Sequence, residues 1–426
     1  VKHATIAPEF IGIADLFTRI SGVQPISTLP LLFEFYDCYT KVHQEQHKDT
    51  PDTFEEFLSW GQTALKDFSE IDQYLVNPDK IFPYIHALKE VEHWSGMDER
   101  TEMQEKYLAF WRRLGDYYFA LNTRLKELGK GYGGYIAKKA VEKLPQYLQT
   151  HTDTIHIFVG FNALSEAEQK VIQSILIDIG GEIYWDGDTY FFKNQTHEAG
   201  YFLRKYLKNW RYYKTLNHTP KFIGSHYEEE KEFHLTGVPK NVNQAHSVAA
   251  LLKELPSAEL EKTALIIADE NLLIPMLQSV QTGTAVNITM GYPLQQTPLN
   301  DLFTTYFRLH LSKSFYYKDV LNLLSQPFLH SLLSAEAVTA IATYIKENNL
   351  TYLSREKLLE NTPKDQQEIL NLLFPKGKDK AFITTLIDNA IKLIYQLKST
   401  LDPENAQHVL IQEYAYRFYE LFNQLS

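Results

Sequence analysis

The chain has 426 residues, 44% hydrophobic and 22% charged, with a net charge of −11 and one cysteine, Cys38. That length and composition describe a globular protein of roughly two to four domains. A single cysteine excludes an intrachain disulfide and a cysteine-ligated zinc or iron–sulfur centre, no apolar run reaches the roughly 18 residues that cross a bilayer, and the acidic balance confines any nucleic-acid contact to a local basic surface.

The cysteine usage fits a reducing, cytoplasmic compartment. The chain opens on Val1 and closes in "YRFYELFNQLS", still inside an amphipathic pattern, which predicts a fragment of a longer protein. Residues 11–49 and 52–76 read as helices, and 106–128 is the clearest helix, with Tyr107, Trp111, Leu114, Tyr118, Leu121, Leu125 and Leu128 forming one apolar seam.

The stretch "ELGKGYGGYI" (127–136) places Gly129, Gly131 and Gly134 in a G-x-G-x-x-G pattern with Lys130 between the first two. A dinucleotide fingerprint requires a strand before the glycines, and a P-loop requires G-x-x-x-x-G-K followed by Ser or Thr. Here a long helix precedes, and Lys130 is followed by Gly131. The pattern therefore predicts a helix end with Gly129 as left-handed cap, then a flexible, hinge-like turn. Lys130 is left as a candidate phosphate contact.

The texture changes at residue 155. "IHIFVGF" reads as a buried strand. "SEAEQKVIQSILIDIG" follows as a helix with a Ser165–Glu168 capping box and a stop at Gly180 and Gly181, and "EIYWDGDTYFF" returns to strand with an Asp-Gly turn. A second alternation starts near 232: "EFHLTGV", "TALIIA" and "AVNITM" read as strands, separated by the helices "NVNQAHSVAALLKEL" and "ENLLIPMLQSV". Such alternation implies parallel βαβ units. From about 297 onward the pattern is helical, and the acidic run Glu228–Glu230 is a candidate linker.

Several motifs imitate catalytic sites. "LIIADE" ends in Asp269-Glu270 like a Walker B strand, but no P-loop precedes it in the same half, and Asp269 is expected to cap the next helix. Glu229-Glu230-Lys231 matches the (D/E)-x-K text of a metal-dependent nuclease, yet it lies in the solvated run "HYEEEKEF". His43 and His47 are four apart, but Gln44 stands where H-E-x-x-H needs Glu, so both are expected at the surface. Cys38 has no activating neighbour in "YDCYTK". No catalytic residue, metal ligand or cofactor contact is assigned.

One patch remains. Residues 201–224, "YFLRKYLKNWRYYKTLNHTPKFIG", contain no acid. On a helix Phe202, Tyr206, Trp210 and Tyr213 fall on one side, expected in the core, and Arg204, Lys208 and Arg211 on the other. Arg204, Lys205, Lys208, Arg211 and Lys214, with Lys130, are the candidate DNA-contacting residues. A second basic cluster, Lys126, Lys130, Lys138 and Lys139, flanks the glycine turn.

The strings "DFSEIDQYLV" (67–76), "IFVGFNALSEAEQKVIQ" (157–173), "YWDGDTYFF" (184–192), "TALIIADENLLIPML" (263–277) and "NITMGYPLQQTPL" (287–299) together resemble the helicase-like part of bacterial AddB/RecB-family exonucleases, in which an inactivated superfamily I helicase region precedes a PD-(D/E)XK nuclease domain. The resemblance implies an α/β fold with two RecA-like parallel-sheet cores. Residues 1–50 and 151–225 would form the first core with 51–150 as its helical insertion; 226–300 would begin the second, with 301–426 as its insertion. It also implies that the nuclease lies beyond Ser426 and any P-loop before Val1. Working helicases carry an Asp-Glu pair where this chain has Gly160-Phe161, which implies an inactive ATPase. The expected function is a catalytically inactive DNA-binding scaffold of an end-processing exonuclease. Its partners would be single-stranded DNA or duplex ends and a helicase or nuclease subunit. The alternative is a protein-interaction module that binds the partner subunit without touching DNA.

Overall fold

The computed structural model describes residues 8–47, 50–94, 101–280, 286–290, 295, 297–312, 314–377, 381–400 and 415–420. The chain divides into two units, Val1–Glu232 and Phe233–Ser426, just beyond the acidic run at Glu228–Glu230. It is mixed α/β, with small sheets, among them a parallel one, set in a largely helical chain.

The first unit opens with Ile13–Ser21 (α1), Gln24–Pro25 (β1), Thr28–Val42 (α2) and a π-helical turn at His43–His47. Phe54–Gln73 (α3), Pro78–Trp94 (α4), Glu102–Leu128 (α5), Lys130–Gly131 (β2) and Gly133–Thr150 (α6) follow. Capping boxes fix the starts of α3 and α5: Thr53 with Glu56, and Thr101 with Gln104. Helix α5 therefore begins before the expected residue 106, because Thr101 and Gln104 nucleate it ahead of its apolar seam. Of that seam Leu114, Tyr118, Leu121 and Leu125 are buried, against Phe35, Phe57 and Phe68 of α2 and α3.

Gly129 ends α5 in the left-handed region at φ +63, as its position predicts. The turn after it is pinned, which corrects the expectation of a hinge. Gln24 N donates to the Gly129 carbonyl at 3.0 Å and Ile26 N to the Gly131 carbonyl at 3.1 Å, so β1 and β2 form a short parallel pair. Gly134 lies against the α3 backbone, where a Cβ would sit 2.1 Å from the Ser69 carbonyl oxygen.

The rest of the unit is a parallel sheet with its crossovers. His156–Phe161 (β3), Glu166–Asp178 (α7), Gly181–Asp188 (β4), Thr189–Lys193 (α8), Tyr201–Asn209 (α9), Arg211–Lys214 (α10) and Lys221–Gly224 (β5) succeed one another, in the sheet order β3-β4-β5. The Ser165–Glu168 capping box forms, and Gly180 and Gly181 take positive φ beyond α7. The expected Asp-Gly turn does not. Asp186 and Gly187 stay inside β4, where a Cβ on residue 187 would meet Leu203 at 2.8 Å, so glycine serves close packing there.

Phe158, Ile183 and Trp185 point from the sheet into a core shared with α7 and α9. The opposite face is bare: Ile155, Ile157 and Val159 are 81%, 60% and 57% exposed. Parallel sheets usually bury both faces, whereas this one has an open side among the described residues of its own unit.

The second unit holds Asn241–Glu254 (α11), Ser257–Leu260 (α12) and Leu273–Ser279 (α13), then Pro298–His310 (α14), Phe315–Tyr316 (β6), Tyr317–Leu324 (α15), Ala335–Glu347 (α16), Tyr352–Leu353 (β7), Arg355–Glu360 (α17), Gln367–Leu373 (α18) and Ala381–Ser399 (α19). Helices α14 to α19 enclose a core around Tyr306, Leu323, Leu370 and Phe374, with β6 and β7 as a two-residue antiparallel bridge. The expected strands at 232–238, 263–268 and 285–290, the last with Ala285 outside the described residues, do not form a ladder among the described residues, although their intervening helices do form. An apolar run sets a preference for extended backbone, but a strand also needs a paired neighbour, and these runs pair with none among the described residues. The second parallel sheet is therefore not formed among the described residues, and Leu235 and Ile266 are exposed. No described helix is long and apolar enough to cross a membrane.

Candidate nucleic-acid interface

Helix α9 is placed by its buried side. Tyr206 accepts the Leu164 N–H at 2.8 Å and stacks on Trp185 at 5.4 Å. Trp210 donates to Gln169 Oε1 at 3.2 Å, and Trp185 Nε1 donates to the Tyr213 hydroxyl at 2.7 Å. Tyr206, Trp210 and Tyr213 are thus core residues, as expected. Phe202 is not: it and Tyr201 are 42% and 56% exposed and stand outside the core cluster. The helix does not run through as one piece either. Trp210 adopts extended backbone at ψ 132, which ends α9 and starts the single turn of α10.

This break sorts the candidate cations. Arg204 Nη1 donates to the carbonyls of Phe191 and Asn194, each at 2.8 Å, and Nη2 to that of His197 at 2.7 Å. Its guanidinium closes the connection between α8 and α9, and Gly200 makes room for it, since a Cβ there would lie 2.2 Å from Nη1. Three of the five Arg204 donors thus serve carbonyls of its own fold. Lys205, Lys208, Arg211 and Lys214 are exposed, and their side chains make no hydrogen bond or ion pair among the described residues. Lys221 pairs with Glu182 at 2.8 Å. Lys130 is exposed on β2, which pairs with β1, whereas α9 and α10 pack on the β3-β4-β5 sheet.

Two of the four lysines in the second basic cluster, Lys138 and Lys139, are engaged. Lys139 pairs with Glu142 at 2.6 Å. Lys138 donates to Asp72 Oδ1 at 3.0 Å and to the Tyr118 hydroxyl at 2.7 Å. Asp72 is buried and also accepts from Tyr118 at 2.5 Å and from Tyr132 at 2.6 Å. Burial, with the adjacent carboxylate, pushes both phenols far above their usual range, so both remain donors. This knot joins α3, α5, the glycine turn and α6. Sequence reasoning missed it: Asp72 continues the Leu65–Phe68 face of α3, which marks it as buried, but nothing in the sequence names its partners.

The other motifs resolve as follows. Asp269 caps the turn before α13 by accepting the Asn271 N–H at 3.1 Å, as expected. Lys231 donates to the carbonyls of His226 and Glu229 at 3.2 Å and 2.9 Å, closing a turn in which His226 pairs with Glu229. Gly160 takes φ +86 at an irregularity of β3, and no acid occupies that strand end. Asp188, at the end of β4, accepts the Tyr190 and Tyr227 N–H groups, each at 2.9 Å.

His43 is buried and shares a 2.7 Å hydrogen bond with the Tyr117 hydroxyl, which corrects the surface expectation; the His47 side chain lies outside the described residues. Cys38 is buried, and burial pushes its thiol up to about 11. No group of three or more His, Cys, Asp or Glu that could hold a metal occurs among the described residues. No family model matches this chain, and no curated protein matches it.

Proposed function

We propose that the chain is a catalytically inactive, helicase-like module that binds DNA and serves as a scaffold in a cytoplasmic, end-processing exonuclease of recombination and repair, beside a helicase or nuclease subunit. In this reading β3, α7, β4, α9 and β5 belong to a RecA-like core, and Gly160-Phe161 stands where an active ATPase would hold magnesium and water. One observation carries it. Residues 199–227 contain no acid in a chain of net charge −11, and within them Lys205, Lys208, Arg211 and Lys214 are exposed without protein partners among the described residues. Cations left unpaired on an acidic protein suit phosphates, whose counterions they release.

The test is fluorescence anisotropy with tailed duplex DNA between about 50 and 200 mM salt. Binding should be salt-sensitive, and Lys205→Glu, Lys208→Glu and Arg211→Glu should each flatten the slope of log affinity against log salt by about one, whatever the DNA sequence. Affinity indifferent to salt and to these changes refutes DNA guidance. The bare face at Ile155, Ile157 and Val159 favours a second reading, a module that binds only its partner subunit. Partner binding that survives all three charge reversals, with no DNA affinity in the wild type, selects it.

A further inference from the structure

We infer that Tyr201 and Phe202 form a base-stacking platform at one end of the lysine track, so that the α9 surface takes single-stranded nucleic acid in preference to duplex; this rests on the DNA-binding reading above. At 100° per residue Tyr201, Lys205 and Lys208 fall within about 60° of arc, and Phe202 flanks them. Tyr201 and Lys208 are separated by about 10 Å along the axis, enough for a strand to lay its bases on the rings and its phosphates on the ammonium groups. The two rings touch each other edge to face at 5.3 Å and are 56% and 42% exposed; Phe202 stacks with the buried Tyr206 at 6.4 Å, and neither Tyr201 nor Phe202 is itself in the core cluster.

Arg204 gives the platform its fixed position. Its bonds to Phe191, Asn194 and His197 hold the chain that leads into Tyr201. A duplex presents phosphates to the lysines but keeps its bases stacked away from the rings, so only a single strand engages both. No acid interrupts the chain itself from 199 to 227, so the lysine track carries no carboxylate of its own segment.

The experiment compares oligothymidylate with blunt duplex of equal length on the 426-residue chain. Tyr201→Ala with Phe202→Ala should weaken single-strand binding roughly tenfold or more and change duplex binding less than about twofold. Phe202→Leu, which keeps apolar bulk, should lose single-strand affinity, whereas Phe202→Trp should restore it. A 2-aminopurine in the oligonucleotide should be quenched by the wild type and not by the alanine pair. If the alanine pair binds single strands like the wild type while Lys205→Glu and Lys208→Glu abolish binding, the platform is refuted and DNA binding stands. If the wild type binds neither nucleic acid, both fall.

Discussion

Asp72 shows how one buried side chain organises a region. Two phenols and the Lys138 ammonium converge on a carboxylate that is 1% exposed. Asp72→Asn removes the charge that Lys138 and both donors face, and we expect a loss of about 3 kcal/mol in urea unfolding, the lower end for a broken buried pair because Lys138 keeps some solvent contact. A loss below about 0.5 kcal/mol would mean the knot is incidental. His310 is the residue to follow with pH. Burial holds its imidazole below the usual range, against the Leu373 carbonyl it meets at 2.8 Å. The unfolded imidazole takes up a proton near pH 6.5, whereas the folded one does so only at lower pH. The unfolded chain thus binds more protons in that window. The His310 contribution is complete above about pH 6.5 and is lost as pH falls through the folded value. Comparing urea midpoints at pH 7.5 and 5.5 should show a smaller drop for His310→Gln than for the wild type; equal drops would exclude the histidine.

At the scale of elements, the glycine turn separates two functions of one residue type. Gly129 needs its φ of +63 but has open space around it, so Gly129→Ala should cost only about 1 kcal/mol of backbone strain. Gly134 must admit the Ser69 carbonyl, so Gly134→Ala forces α6 off α3 and should cost at least about 3 kcal/mol. Thermal melts of the two variants check the order, and a reversal would refute the close-packing account. Both roles sit in one decapeptide, yet only the first was legible from sequence. A helix cap is a local property, whereas close packing depends on a helix some sixty residues earlier. The same division runs through the α9 surface. Tyr206, Trp210 and Tyr213 were legible as core from their spacing, but the break at Trp210 and the capture of Arg204 by three carbonyls depend on tertiary partners that periodicity does not register.

At the scale of the whole molecule, strand–helix alternation was legible in both halves but became a sheet only in the first. There β4 lies between β3 and β5, and the crossover helices α7, α9 and α10 find the same core. In the second unit α11 and α13 form as expected, while the apolar runs beside them have no ladder among the described residues. Helices satisfy their backbone within themselves; strands depend on segments elsewhere. The bare side of the first sheet has a practical consequence. At the edge of that sheet, among the described residues, β3 has no strand partner on one side and carries a row of branched aliphatic side chains on the open face, which together form a template for intermolecular β-pairing. The chain should therefore self-associate as its concentration rises, more strongly in sulfate than in chloride. Light scattering should show that Ile157→Lys with Val159→Thr raises the solubility limit and leaves the melting temperature within a few degrees, because neither side chain supports the core beneath it.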